Sequence, residues 1–414
     1  MKRCLPILLS IGMMLLATLA CSVTVNTDSS PENNTGAPQS TSTKIPASPT
    51  QPLASTSTQP SAPTQTSAPS PAAPTVEAPQ LTSIHFLDDS HGWGVTSQYI
   101  LRTEDGGATW YNVTPAGVTD FGYGPISYFY DATHGWVAIP NPSDPMQAGQ
   151  LYRTTDGGAN WTESTFPTGD GGRFCFVDLT NGFYMADLGA GAGSNWVAIY
   201  ATSDGGATWE QRFSHQPGTA EGVGDLPAGG IKSGMTFRDT AHGWVTGTVY
   251  TDNFLYLYDS ADGGKTWNHQ PGPVPTDFGT VFVTTSPPAF FGENGIMPAV
   301  LSSNVTNLVI YTSADGGATW TPAPAPVANA GRGEWVDFVS PTDGFAWATG
   351  RFAVTHDGAH SWDTVTPSVA FGDNFSSMDF VNTSTGWVLT MDANSHTSFY
   401  KTTDGGNNWT TLIP

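Results

Sequence analysis

From Leu81 to the C-terminus one short turn returns seven times, and that repetition limits the folds open to the chain more than any other feature. The copy T-S-D-G-G-A-T-W at 202–209 shows the pattern. Its aspartate recurs as Asp105, Asp156, Asp204, Asp262, Asp315, Asp357 and Asp404, spaced 42 to 58 residues apart. A Ser or Thr stands two residues before each, and a Trp five residues after each. Gly-Gly follows the aspartate in six copies; the sixth copy in chain order has Ala359 in the second place. Repeats of this length are stacked supersecondary units, none of which buries its apolar face alone.

A second motif alternates with the first. F-L-D-D-S-H-G-W, F-Y-D-A-T-H-G-W, F-V-D-L-T-N-G-F, F-R-D-T-A-H-G-W, F-V-S-P-T-D-G-F and F-V-N-T-S-T-G-W each place an aromatic six residues before a Gly-aromatic pair, with a degenerate copy near F-F-G-E-N-G-I-M. Short alternating β-runs surround both motifs. Each unit therefore reads as four strands a to d, with Gly-Trp at the a–b turn and Asp-Gly-Gly at the c–d turn. Seven such units predict an all-β fold, a seven-bladed β-propeller of four-stranded antiparallel blades. A turn aspartate accepts nearby backbone N–H groups and the glycines supply positive φ. The Ser/Thr is expected to bond across the hairpin, and the Trp to begin strand d and pack between blades. Seven equivalents spread around a ring cannot converge on one substrate, so these aspartates are architectural. His91, His134 and His242 sit at equivalent a–b turns, and no metal site is expected of them. Arg102 and Arg153 likewise share one strand-c position.

The motif S/T-x-D-G-G-x-T-W resembles the Asp-box, or BNR, repeat, and its pairing with the D…GW motif is most similar to propellers of the photosystem II stability/assembly factor family. The resemblance spans 81–414. It implies a non-catalytic, surface-tethered scaffold that binds a protein segment or glycan. The same box also occurs in sialidases and xyloglucanases, so an extracellular glycoside hydrolase is the alternative. The assembly-factor family recognises its client through an arginine patch, whereas this chain has seven arginines outside its leader.

The N-terminus reads as an export signal: Met1-Lys2-Arg3, an apolar run from Leu5 to Leu19, then L-A-T-L-A-C. It resembles a bacterial lipoprotein leader, which implies signal peptide 1–20, lipidation at Cys21, and a location at the bacterial surface or otherwise outside the cytoplasm. Residues 22–80 lack Trp, Phe and Tyr and are rich in Ser, Thr and Pro, a composition that cannot bury enough apolar surface to fold; 21–80 is a tether. With Cys4 in the leader and Cys21 given to lipid, no disulfide is expected. Thirteen Lys and Arg against 35 Asp and Glu give a net charge of −22, which argues against nucleic acid as a partner and against membrane contact other than through the anchor. No cofactor is expected, and the chain is expected to be a monomer.

Between the two motifs the Gly-to-Asp spacing runs from 13 to 22, which puts the variation in the b–c loops, and the d–a connectors vary too. In an antiparallel blade these loops emerge opposite the Asp boxes, and that variable face is the candidate for binding a protein segment or glycan. Arg173, Arg332, Glu334, Trp335 and Phe375, near the starts of inner strands, are the candidate binding residues at its channel mouth. Asp170, Asp225, Asp277, Glu334 and Asp373 are the acids a hydrolase would have to draw on. No linear motif makes any two of them converge, which favours binding over catalysis.

Overall fold

The computed structural model describes residues 73–122, 124–141, 143–144, 147–167, 171–215, 221–330 and 335–414. These form seven successive antiparallel units around a ring. Blade 1 is Leu81–Phe86, Gly92–Thr96, Ile100–Thr103 and Trp110–Asn112; blade 2 is Ile126–Phe129, Gly135–Ile139, Gly149–Thr154 and Thr162–Phe166. Blade 3 is Gly171–Phe176, Gly182–Gly191, Ser194–Thr202 and Glu210–Ser214; blade 4 is Ile231–Phe237, Gly243–Thr248, Leu257–Ser260 and Asn268–His269. In blade 5 the outer and inner strands are split: Phe282–Thr285 with Ala289–Phe291, then Asn294–Ser302, Thr306–Ser313, and Thr321–Pro322 with Val327–Ala328. Blade 6 is Val336–Phe338, Gly344–Ala348, Arg351–Thr355 and Asp363–Val365; blade 7 is Phe375–Phe380, Gly386–Met391, Thr397–Thr402 and Thr410–Ile413. Strands are lettered a to d in that order within each blade.

The second motif turns out to be the inter-blade fastener. Its leading Phe ends strand a and lies flat over the motif glycine of the same blade. A Cβ added at Gly92, Gly135, Gly182, Gly243, Gly344 or Gly386 would come within 2.3–2.8 Å of that ring, so only glycine fits. The other face of the ring receives the strand-b aromatic of the preceding blade. Trp93 stacks on Phe129, Trp136 on Phe176, Phe183 on Phe237, Phe345 on Phe380 and Trp387 on Phe86, and Trp244 packs on Phe290 with planes tilted by 36°, with centroids 3.5–4.6 Å apart. At the degenerate seam between blades 5 and 6, Ile296 shares a buried cluster with Phe338 instead. Such stacks add to the area each ring buries, and they make every seam a specific contact.

Three departures from a seven-fold repeat matter for function. Thr75–Val76, ahead of Leu81, forms a short strand, but it pairs with strand d of blade 1 as a fifth, outer strand and leaves blade 7 alone. The ring instead closes by side chains: Phe86 N–H donates to Asp379 Oδ2 at 2.5 Å, Trp387 Nε1 to Gly106 O at 2.9 Å, and Thr397 N–H to Gln80 Oε1 at 2.9 Å. Blades 4 and 5 are welded into one ten-stranded sheet through Thr248 and Thr284. The expectation of no disulfide is corrected: Cys175 is disulfide-bonded, to a partner outside the described residues. The expectation had assigned the other two cysteines to the leader and the lipid.

Candidate functional site

The Asp box is a closed set of hydrogen bonds with the same geometry in all seven blades. In each, the Ser/Thr hydroxyl donates to the aspartate Oδ1 at 2.8–2.9 Å, and the backbone N–H four residues after the aspartate donates to the same carboxylate at 2.8–2.9 Å. The second box residue after the aspartate returns its N–H to the hydroxyl at 2.8–3.1 Å. The hydroxyl therefore works inside the turn, not across the hairpin as expected, because its reach is taken up by the aspartate and a glycine N–H four residues on. Ala359 adopts φ +67° to serve as that donor in blade 6. The first box glycine donates its N–H to a carbonyl of the a–b turn at 2.7–2.9 Å in every blade, so both turns lie on one face, the box face. The Trp leads into strand d as expected, and its packing varies: Trp110 meets Phe86 of its own blade and Phe399 across the seam with blade 7, whereas Trp209 packs on Phe174, Phe176 and Tyr184, all of its own blade.

Charge is spent in the same way. The hydroxyl of Thr319, its backbone N–H and Ser313 hold the Asp315 carboxyl at about 2; Ser361 does the same for Asp357. At the a–b turns Asp131 and Asp178 also lie near 2, burial pushing them up and the bonds from the next three residues outweighing it. His91, His134 and His242 each place Nδ1 2.8–2.9 Å from the aspartate of their own turn. Among the described residues no group of three or more His, Cys, Asp or Glu is arranged to hold a metal ion. Arg102 Nη1 reaches Gly157 O at 3.3 Å, and Arg153 Nη1 reaches Asp204 O at 3.3 Å, each pinning the box of the next blade. In blade 3 the equivalent residue is Ala201, and a cavity of about 90 Å³ between it, Arg212, Asp262 and Gly263 occupies the place of the missing guanidinium.

Of the candidate binding residues, the structure brings two together. Trp335 and Phe375 meet edge to face, centroids 5.5 Å apart. Trp335 donates Nε1 to Ser376 O at 3.2 Å, and Phe375 is 4% exposed, stacked on Trp347. Arg173 stands at the seam of blades 3 and 4, its Nε donating to Ser233 O at 2.9 Å. Arg332 and Glu334 lie outside the described residues, as does Asp170. Of the other acids, Asp225 accepts Gly222 N–H at 2.6 Å within its own loop, and Asp277 and Asp373 sit in single 3₁₀ turns.

The varied spacing between motifs is taken up on the face opposite the boxes, the loop face, and unevenly. Blades 3 and 5 lengthen strands b and c, so that their hairpins rise as far as Gly191 paired with Ser194 and Ser302 paired with Thr306. Blade 4 is tied into both. Asn195 N–H donates to Gly230 O, and Lys232 N–H to Asn195 Oδ1, on one side; on the other, Asn253 N–H donates to Val281 O and Thr248 Oγ1 to Val283 O. Lys232, 4% exposed, caps this arrangement with its ammonium on the carbonyls of Asn195, Ala228, Gly229 and Gly230 at 3.1–3.4 Å. Burial pulls its pKa down to about 8 against the opposing pull of Glu221. Blades 3 to 5 thus carry a continuous raised wall. Strand length and cross-blade pairing leave no local motif for the wall, and the Gly-to-Asp spacing alone does not mark it: it is 22, 19 and 20 in blades 3 to 5 but 21 in blade 2, where the b–c pairing ends at Ile139 with Gln150.

The seven fastened blades and their boxes define an Asp-box β-propeller. The chain is similar in sequence to the photosystem II stability and assembly factors. Residues 72–231 match the family described as photosynthesis system II assembly factor YCF48. The photosystem II assembly lipoprotein Ycf48 of Synechococcus sp. (strain CC9902) is 28% identical over 68% of this chain and 74% of its own. The chloroplastic photosystem II stability/assembly factor HCF136 of Arabidopsis thaliana is 24% identical over 75% and 74%. Among solved structures, YCF48 bound to D1 peptide superposes with a TM-score of 0.48 at 16% identity, covering 81% of this chain and 91% of that one.

Proposed function

We propose that this chain is a non-catalytic, lipid-anchored propeller that holds a segment of another protein on its loop face, as an assembly factor does. The observation that carries this reading is the division between the faces. On the box face the repeated Asp, Ser/Thr, His and Arg side chains are consumed in holding turns and seams, while the loop face departs from the repeat to build the wall of blades 3 to 5. The similarity to factors named for photosystem II assembly supports a scaffold role; the client of this chain is taken to be a protein segment outside the cytoplasm. In this reading residues 1–20 are the leader and Cys21 carries the lipid, so the Cys175 disulfide of the full-length chain is absent from the mature form; the tether from Cys21 up to the Thr75–Val76 strand gives the propeller reach from the membrane, and it works as a monomer.

The test pairs selection with turnover. The full chain, purified in detergent, is panned against a displayed peptide library and incubated at high concentration with sialosides, β-glucans and xyloglucan. Expected are peptides related in sequence and no sugar release. Product formation that Asp225→Asn abolishes with the fold intact would establish the hydrolase instead. Loss of palmitate labelling in Cys21→Ala checks the anchor.

A further inference from the structure

Two aromatic rings stand in water on the wall. Tyr250, in the b–c loop of blade 4, is 78% exposed, and Phe282, at the start of strand a of blade 5, is 46% exposed. They meet edge to face with centroids 6.2 Å apart and planes at 77°. Leaving two large aromatics uncovered side by side is unfavourable for a solitary protein and marks a contact surface. The pair is also held in place. Tyr250 rests on the tip of the blade 3 hairpin, where a Cβ at Gly193 would lie 2.8 Å from its ring. Phe282 is paired with Ser302, and the Tyr250 loop is tied to the neighbouring strand by Asn253 N–H on Val281 O and Val281 N–H on Asn253 Oδ1. A preordered platform loses little entropy on binding.

The surroundings select the occupant. Asp252 and Asp277 are exposed, the first two residues from Tyr250 and beside the Asn253–Val281 tie, the second on the connector that leads into Phe282. Between Arg238 and Arg332 the sequence has a single Lys or Arg, Lys265, and it belongs to the blade 4 Asp box on the opposite face. The lysine of the wall, Lys232, is buried on carbonyls. Aromatic faces next to carboxylates without a competing base favour a guanidinium, which stacks on the rings while its N–H groups bond the acids.

We propose that Tyr250 and Phe282, with the exposed Asp252 and Asp277 on the segments that carry them, are the docking site for an arginine-bearing basic segment of the partner protein. The site rests on the protein-binding function proposed above and gives it a location and a chemistry. It is the reverse in charge of recognition by an arginine patch.

The experiment measures binding of the full chain to a fluorescein-labelled Gly-Arg-Gly-Arg-Gly-Arg peptide, to the same peptide with citrulline for arginine, and to xyloglucan oligosaccharides. The arginine peptide binds more weakly as salt rises, and the citrulline peptide binds about tenfold less tightly. Tyr250→Ala and Phe282→Ala, which leave the net charge untouched, each weaken it by about fivefold. Asp252→Asn weakens it, while Asp363→Asn, the same charge change on blade 6, does not. Equal effects of the two Asp changes with none from the aromatic changes would mean attraction by net charge alone, overturning the site while leaving protein binding on the wall open. Oligosaccharide binding lost in Tyr250→Ala, with the arginine peptide unaffected, would mean a glycan site and overturn both.

Discussion

At the residue scale the recurring aspartate is a clamp, and its chemistry is that of a hydrogen-bond acceptor. Asp204 takes the Thr202 hydroxyl, the Thr208 N–H and the Thr208 hydroxyl. Asp204→Ala leaves those donors without their acceptor, so it should cost about 1–3 kcal/mol in denaturant unfolding while peptide binding on the other face persists. Full stability with lost binding would contradict the architectural role. The carboxylates also set the acid limit. Folded values near 2 at Asp131, Asp178, Asp315 and Asp357 lie below the ordinary 3.8, so folding favours the charged form. That contribution is complete above about pH 4 and is lost as pH falls through about 2. A thermal melt followed from pH 6 down should stay level to about pH 4 and drop steeply below; a level curve to pH 2 would show the box bonds to be inconsequential. This much was legible from spacing alone, since type and position of Asp, Gly and Ser/Thr prescribe a turn. The bond inside the turn was not, because a hydroxyl's partner depends on rotamer and local curvature.

At the scale of elements the seams carry the specificity. Trp387 is buried, stacked on Phe86 at 3.6 Å and bonded to Gly106 O, so it joins the last blade to the first. Trp387→Ala should cost about 3–5 kcal/mol and loosen blades 7 and 1 first, which hydrogen exchange by mass spectrometry resolves. Uniform loosening of all blades would contradict closure at that seam. The Phe-x5-Gly-Trp motif announced a turn, yet its partner lies one blade away, beyond what a single unit's pattern shows. In the wall, Lys232→Met strands the carbonyls of Asn195 and Ala228 to Gly230 and should speed exchange across 221–231 without disturbing the Asp boxes. Unchanged exchange there would remove the lysine's role. Because its pKa is lowered to about 8 from 10.5, the unfolded chain holds the proton longer. The wild-type stability term from this residue therefore rises between pH 8 and 10.5, and Lys232→Met should lack that rise.

For the whole molecule, the blade count, the two-faced layout and the closing stack followed from the repeats, since Trp387 on Phe86 and on Gly106 O repeats Trp136 on Phe176 and on Gly205 O, whereas the Gln80–Thr397 bond and the blade 4–5 weld came from one-off residues that break the period. Thr75–Val76 adds only an edge strand, and the ring is held by Phe86, Asp379, Trp387 and Gln80. Removing residues through Val76 should lower the melting temperature by about 2–4 °C and keep one cooperative transition; a split transition would mean that the added strand closes the ring. The candidate residues near the channel divided for a similar reason. Trp335 and Phe375 pack into a seam, and Arg173 bonds a neighbouring strand, because positions near inner-strand starts serve the ring as readily as a ligand. The central claim is that one face holds the ring and the other binds. Hydrogen exchange of the full chain, with and without a peptide recovered from the display selection, tests it most directly. The account predicts protection confined to the loop face of blades 3 to 5, around 191–195, 249–253 and 277–284. Protection at the Asp-box turns around Asp105 to Asp404, with the wall unchanged, would contradict it.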